Sequence, residues 1–197
     1  MLVHLRRSVI LALFLLALTF VYALVGTGIS QALFNHQANG SLTANGSTLI
    51  GQNWTSNQWF HGRPDDTGPY AADPKKDVTG GDNPGENNGV LGESGATNLG
   101  PRSQTLVDNT KALVAYWHAR GVTPTADLVT TSGSGYDPDI TPADARAQIP
   151  MVARARGLSP ARLNRLIDQQ THGAPLGFLG SPYVVVLQLN EALARLR

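Results

Sequence analysis

The sequence predicts one N-terminal transmembrane helix followed by a mixed α/β (α+β) extracytoplasmic domain. Three observations carry this. Residues 8–29 (SVILALFLLALTFVYALVGTGI) form a run of 22 residues without a charge. The rest of the chain holds most of the 21 Gly and 12 Pro, a density of turns that excludes a long helical bundle. Beyond residue 101, capped helical patterns intermix with short β-branched runs, which is the signature of a mixed domain.

The apolar run comes first. At 1.5 Å per residue it spans roughly 33 Å as a helix, enough for a bilayer core. A cleaved signal peptide would have a shorter apolar region, although Gly26-Thr27-Gly28 is small enough for cleavage. A buried core helix is rarely apolar on every face at this length. A retained span is the preferred reading of the three. His4, Arg6 and Arg7 precede it, and residues 30–62 contain no Lys or Arg. The positive-inside rule then leaves residues 1–7 in the cytoplasm, 8–29 in the membrane and 30–197 outside, a single pass through the cell membrane.

The outer part has 168 residues, ample for one core. The whole chain carries 15 Lys+Arg and 14 Asp+Glu. This near-neutral balance excludes the basic surplus of a nucleic-acid binder. There is no Cys, so a disulfide framework, a thiolate metal site and a Cys nucleophile are excluded together.

Residues 31–46 read as a polar linker or a pair of strand edges, and Ser47–Ile50 as a strand. Trp54, Trp59 and Phe60 form a local aromatic cluster. A Gly/Pro-rich loop region covers about 63–101, with Asp73–Glu93 as its mobile part. Thr105–Arg120 places Leu106, Leu113, Val114 and Trp117 on one helical face, and Gly121 caps it. Asp127–Thr131 reads as a strand. The loop SGSGYDPD follows, with Gly133 and Gly135 expected at positive φ. Thr141-Pro142-Ala143-Asp144 starts a helix with a hydroxyl cap and a Pro in the first turn. Pro150 breaks or restarts it, and Gly157 ends it. Ser159-Pro160 repeats the start signal for a helix to about Gln170. Tyr183–Leu187 (YVVVL) is the strongest strand pattern in the chain, and Asn190 is placed to cap a last helix through Leu196.

Chemistry is sparse. His36, His61, His118 and His172 show no metal-ligand spacing, and no carboxylate cluster completes a site. Ser132 and Ser134 sit in a Gly-rich loop, but neither has Gly two residues before and after, so the nucleophile elbow is absent. No Gly-rich run is followed by the Lys of a phosphate-binding loop.

Four ordered segments carry a resemblance. GQNW…WFHGRP (51–64), SGATNLGP (94–101), DLVTTSGSGYDPDITPADARAQIPMVARARG (127–157) and GFLGSPYVVVLQLNEAL (177–193) resemble the C subunit of the Kdp high-affinity potassium-transporting P-type ATPase. With the single span, the likeness covers nearly the whole chain. Asp139 stands where that family often has His, Met151 where Arg is common and Ala96 where Ser is usual, which weakens any role assigned to those three positions.

The resemblance implies a noncatalytic subunit working with a potassium-channel-like subunit, a P-type ATPase subunit and membrane lipid. It implies no cofactor on this chain, ATP and potassium being handled by the complex. It also implies the family's usual description, a catalytic chaperone raising the ATP affinity of the hydrolysing subunit. The interaction candidates it marks are His61, Gly62, Arg63 and Pro64; Asn98, Gly100 and Pro101; Ser132, Gly133, Ser134, Gly135, Asp137 and Pro138; Gln148; and Gly177, Phe178, Leu179 and Gly180. An anchored extracytoplasmic hydrolase or binding domain, using His61 or His172 with an Asp, is the alternative.

Overall fold

The computed structural model describes residues 2–52, 54, 56–64 and 97–196. The Gly/Pro-rich stretch and its Asp73–Glu93 part therefore lie almost wholly outside the described residues. The chain divides into two compact units, 1–41 and 42–197.

The first unit is dominated by α1 (Leu2–Leu33), 32 residues with no buried side chain. It is long and apolar enough to cross a membrane. Its apolar residues lie on every face, the pattern of a helix that a bilayer can surround. The Thr19 hydroxyl, in the middle of the apolar run, donates to the Leu15 carbonyl at 2.9 Å and so is satisfied within the helix. The helix runs four residues beyond the apolar run's end at Ile29, so residues 31–33, read above as the start of a linker or strand edge, are helical. A short helix α2 (Asn35–Ala38) follows.

The second unit opens with a hairpin of β1 (Leu42–Thr43) and β2 (Gly46–Ser47). The strand expected at Ser47–Ile50 stops at its first residue. The Ser47 hydroxyl accepts the Leu49 N–H at 3.1 Å and turns the chain.

Among the described residues the longest helix of this unit is α3 (Gln104–Ala119), whose N-terminus is capped by Ser103 accepting the Leu106 N–H. It buries Leu113 and Trp117. Gly121, at φ 74°, closes its C-terminal end. Asp127–Val129 is a 3-10 turn, where a strand was expected. The Trp117 indole N–H takes the Leu128 carbonyl at 2.9 Å, so that carbonyl has no strand partner to seek.

The Thr141-Asp144 signal is met in full. Helix α4 (Pro142–Ala147) has a capping box, with Thr141 accepting the Asp144 N–H and the Asp144 carboxylate accepting the Thr141 N–H. The chain restarts at Pro150 as α5 (Ile149–Arg156), which ends on Gly157 at φ 65°. Ser159 caps α6 (Pro160–Gln170), and α6 buries Leu163, Leu166 and Ile167.

The YVVVL run is extended only in its first three residues. Tyr183 bridges to His172, and β4 (Val184–Val185) pairs, antiparallel, with the two-residue β3 (Asp139–Ile140). Helix α7 (Val186–Ala194) begins at once. The partner strand is too short to hold more of the run, and Val186 closes the ladder by donating to the Pro138 carbonyl at 3.0 Å. Asn190 is therefore inside the helix and fully buried, not at its cap. The core is a single cluster in which Trp117, Phe60, Leu128, Leu163, Ile167, Leu189 and Leu193 are all sealed from solvent.

Candidate functional site

Phe60, His61, Gly62, Arg63 and Pro64 form a strap through this core. Phe60 and His61 are fully buried. Their backbone groups lie in no sheet, so other partners must satisfy them. Two carboxamides do so. Asn190 Oδ1 accepts the Phe60 N–H at 2.9 Å, and its Nδ2 donates to the Phe60 carbonyl at 2.8 Å. Gln148 Oε1 accepts the His61 N–H at 2.8 Å, and its Nε2 donates to the His61 carbonyl at 2.9 Å. Each amide thus reproduces the paired bonds of an antiparallel strand neighbour. Asn190 comes from α7, and Gln148 from the junction of α4 and α5.

The His61 ring is spent as well. Its Nε2 lies 3.1 Å from the Ser56 carbonyl, an acceptor only, which makes Nε2 the protonated nitrogen. Nδ1 then accepts from the Tyr116 hydroxyl at 3.3 Å. Burial pushes the imidazole down to about 4; the Ser56 bond opposes this and the Arg120 charge adds to it. A base of that strength is poorly matched to neutral pH. His172 is different. Its backbone exchanges both hydrogen bonds with Tyr183, its ring stacks on the Tyr183 ring at 5.0 Å, and its Nε2 meets Gln188 Oε1 at 3.3 Å.

Arg63 carries the strap to the 132–139 loop. It pairs with Asp137 at 3.5 Å and donates to the Thr131 carbonyl at 3.1 Å and the Thr130 carbonyl at 3.4 Å. Asp127 lies at 4.0 Å. Three side chains of the loop take up its own backbone N–H groups. Ser132 Oγ accepts the Gly135 N–H, Ser134 Oγ the Tyr136 N–H, and Asp137 Oδ1 the Asp139 N–H, all at 3.0–3.1 Å. Those N–H groups are not available to an anion. Gly135 has φ 70°, as expected, whereas Gly133 is not at positive φ. Gly51 closes the other side. It donates to the Tyr136 carbonyl at 2.8 Å, and a Cβ there would stand 2.6 Å from the Asp137 carbonyl oxygen.

Replacing Arg63 by Ala removes a half-buried guanidinium that holds two carbonyls and a carboxylate. It is expected to destabilise the domain by about 2 kcal/mol, since bonds to charged groups are worth more than neutral ones. Unfolding of the intact chain in detergent measures this. An unchanged midpoint with impaired subunit assembly would make Arg63 a contact residue instead.

Beside Arg63 lies a recess of about 150 Å³, lined also by Asp127, Asp137, Asp139, Asp144 and Tyr183. Burial lifts the Asp139 carboxyl to about 6; the Asp137 charge adds to the rise and His172 opposes it. Asp144 is committed to the α4 cap and to the Thr125 hydroxyl. Among the described residues, no three His, Asp or Glu side chains converge on a point where a metal ion could sit.

His61, Gly62, Arg63, Asp137, Pro138 and Gln148 are thus brought to one region. Asn98, Gly100 and Pro101 are not. They form the exposed approach to α3, with Asn98 at φ 53° and the Gly100 carbonyl accepting the Ser103 N–H. Gly177, Phe178, Leu179 and Gly180 form a separate exposed tip. Asn190 was missed as part of the strap's support. Its signal was a carboxamide on the buried helical face shared by Val186, Leu189 and Leu193.

A family model described as "K+-transporting ATPase, c chain" (KdpC) matches residues 5–195. The chain is similar to the potassium-transporting ATPase KdpC subunit of Gloeobacter violaceus, 42% identical over 193 residues that cover 94% of this chain and 92% of the relative. The KdpC subunit of Sorangium cellulosum is 43% identical over 205 residues, covering 98% of both chains. That of Methylobacterium nodulans is also 43% identical over 205 residues, covering 100% of this chain and 98% of the relative.

Proposed function

The chain belongs to the KdpC family of potassium-transporting ATPase subunits, and we propose that it is a noncatalytic subunit of a high-affinity, ATP-driven potassium uptake pump. It is anchored by α1, with residues 1–7 in the cytoplasm and the 30–197 domain outside. Its partners are a channel-like subunit and a P-type ATP-hydrolysing subunit, and it supports their assembly and activity. The observation that carries this reading is the family match along the whole chain, apolar helix included.

The flanking charge supports the orientation. ATP is then hydrolysed on the opposite side of the bilayer from the domain. An effect on ATP affinity passes through the span or through subunit contacts, as a coupling between separate sites. The chemistry of the strap suits this role, because His61 and Gln148 are committed to internal bonds.

The test is co-purification of the intact chain, expressed with its companion subunits, together with potassium-stimulated ATP hydrolysis. The channel-like and ATP-hydrolysing subunits are expected in the same complex, and high-affinity uptake is expected to be lost without this chain. Uptake of wild-type affinity in its absence would overturn the reading.

A further inference from the structure

The segment between Asp168 and Glu191 contains no Asp, Glu, Lys or Arg. In its middle the chain leaves the surface as a preformed tip. Leu176, Gly177 and Gly180 are held at φ 54°, 80° and 80°. Gly adopts such angles freely, but Leu does so at a cost. The side chain that this backbone carries is not buried in return. Leu176 is 81% exposed, Phe178 74% and Leu179 49%. The base of the tip is fastened by the reciprocal His172–Tyr183 bonds and the stacked rings.

Three side chains so exposed amount to roughly 400 Å² of apolar surface, the size of a functional patch. That is only about half of what one partner contributes to a standard protein interface. The remainder lies next to it. Ser181, Pro182 and Tyr183, which descend from the tip, also line the recess that holds Asp127, Asp137, Asp139 and Asp144 against the single Arg63. An apolar knob thus adjoins a negatively charged hollow. Anionic lipid would be repelled by the hollow even as its hydrocarbon took the knob. A protein surface can satisfy both at once.

We propose that the Leu176–Leu179 tip and the acidic recess at its base form one docking surface for another subunit of the same pump, which receives the tip in an apolar pocket and places a Lys or Arg in the recess. This rests on the pump-subunit reading above. A partner held in the same bilayer by its own spans raises the effective concentration, so a contact too small for free association suffices.

The experiment uses the full chain expressed with its companion subunits in membranes, carrying a photo-crosslinking amino acid at position 178, with one at Lys111 on α3 as control. The adducts are identified by mass spectrometry. Phe178 is expected to mark a companion subunit and Lys111 not to. In parallel, Leu176→Ser with Phe178→Ser is expected to lower recovery of the complex tenfold or more, since two buried apolar side chains are lost from the contact. Thermal unfolding should be unchanged, because both side chains are exposed. Asp139→Asn should weaken the complex less, and the difference from wild type should shrink as salt rises. Crosslinks only to lipid or to a second copy of this chain, or undiminished recovery of the double variant, would overturn the docking surface. If the wild-type chain itself brings down no ATPase subunit, the pump-subunit reading falls first and the proposal with it.

Discussion

Gln148→Ala is expected to cost the domain about 2–5 kcal/mol, because it deletes the two hydrogen bonds that the side chain makes to the buried backbone of His61, and the loss of a buried bond costs about 1–3 kcal/mol. Asn190→Ala should do the same at Phe60. Both carboxamides are fully buried, and each makes two bonds of 2.8–2.9 Å. Water cannot replace them without opening the core. The two losses should not add, since Phe60 and His61 are neighbours on one strap and the second clamp has little left to hold once the first is gone. Denaturant unfolding of the intact chain in detergent measures all three variants. If Gln148→Ala unfolds at the wild-type midpoint, the side chain is not a clamp and a role toward a ligand or partner becomes open again.

Gln148→Glu sharpens the test. A protonated carboxyl can donate to the His61 carbonyl and accept its N–H, as the amide does. An ionised one can only accept, and it would face the carbonyl oxygen. The folded state therefore raises this carboxyl's pKa above its unfolded value. Its contribution is present in acid and lost as pH rises through the folded pKa. The variant should approach the stability of the native Gln148 protein in acid and fall away toward neutral pH, whereas Gln148→Ala should show no such recovery.

Local signals in the sequence were legible where one turn of chain decides the outcome. Thr141 with Asp144, Ser159 and Gly157 each act within four residues, and the helix ends fall where they indicate. Elements decided by distant partners were not. YVVVL has the composition of a strand, but a strand is only as long as its neighbour, and β3 offers two residues. Asp127–Thr131 is β-branched, yet its carbonyls go to the Trp117 indole and the Arg63 guanidinium. The strap motif could be seen as a motif, and Gln148 as part of another. That one clamps the other could not, because the pair is 87 residues apart, and Asn190 lies 130 residues from Phe60. Nothing in residue periodicity reports such a bond.

The pH dependence of stability should be governed by two groups, the buried His61 and the half-buried Asp139, that act in opposite directions. His61 takes a proton near 6.5 when unfolded but only near 4 when folded. Between those values acid favours the unfolded chain, so stability falls as pH drops, by about 2 kcal/mol at pH 5 and about 3 at pH 4. Asp139 is lifted from 3.8 to about 6. The folded chain then keeps a proton that the unfolded chain has released, so this contribution is present in acid and lost as pH rises through 6. Its size is reduced by solvent, since Asp139 is only half-buried. The wild-type protein should therefore lose less stability between pH 7 and 5 than His61 alone would remove. Asp139→Asn removes the opposing group. It should be more stable than wild type at pH 7, where burying the charge is a cost, and should fall more steeply toward pH 5. His61→Gln should be less stable at pH 7, and its stability should rise rather than fall over the same interval. Unfolding midpoints at pH 7, 6 and 5 for the three proteins decide the matter. Parallel curves for wild type and Asp139→Asn would show that Asp139 is not held away from water as the recess requires.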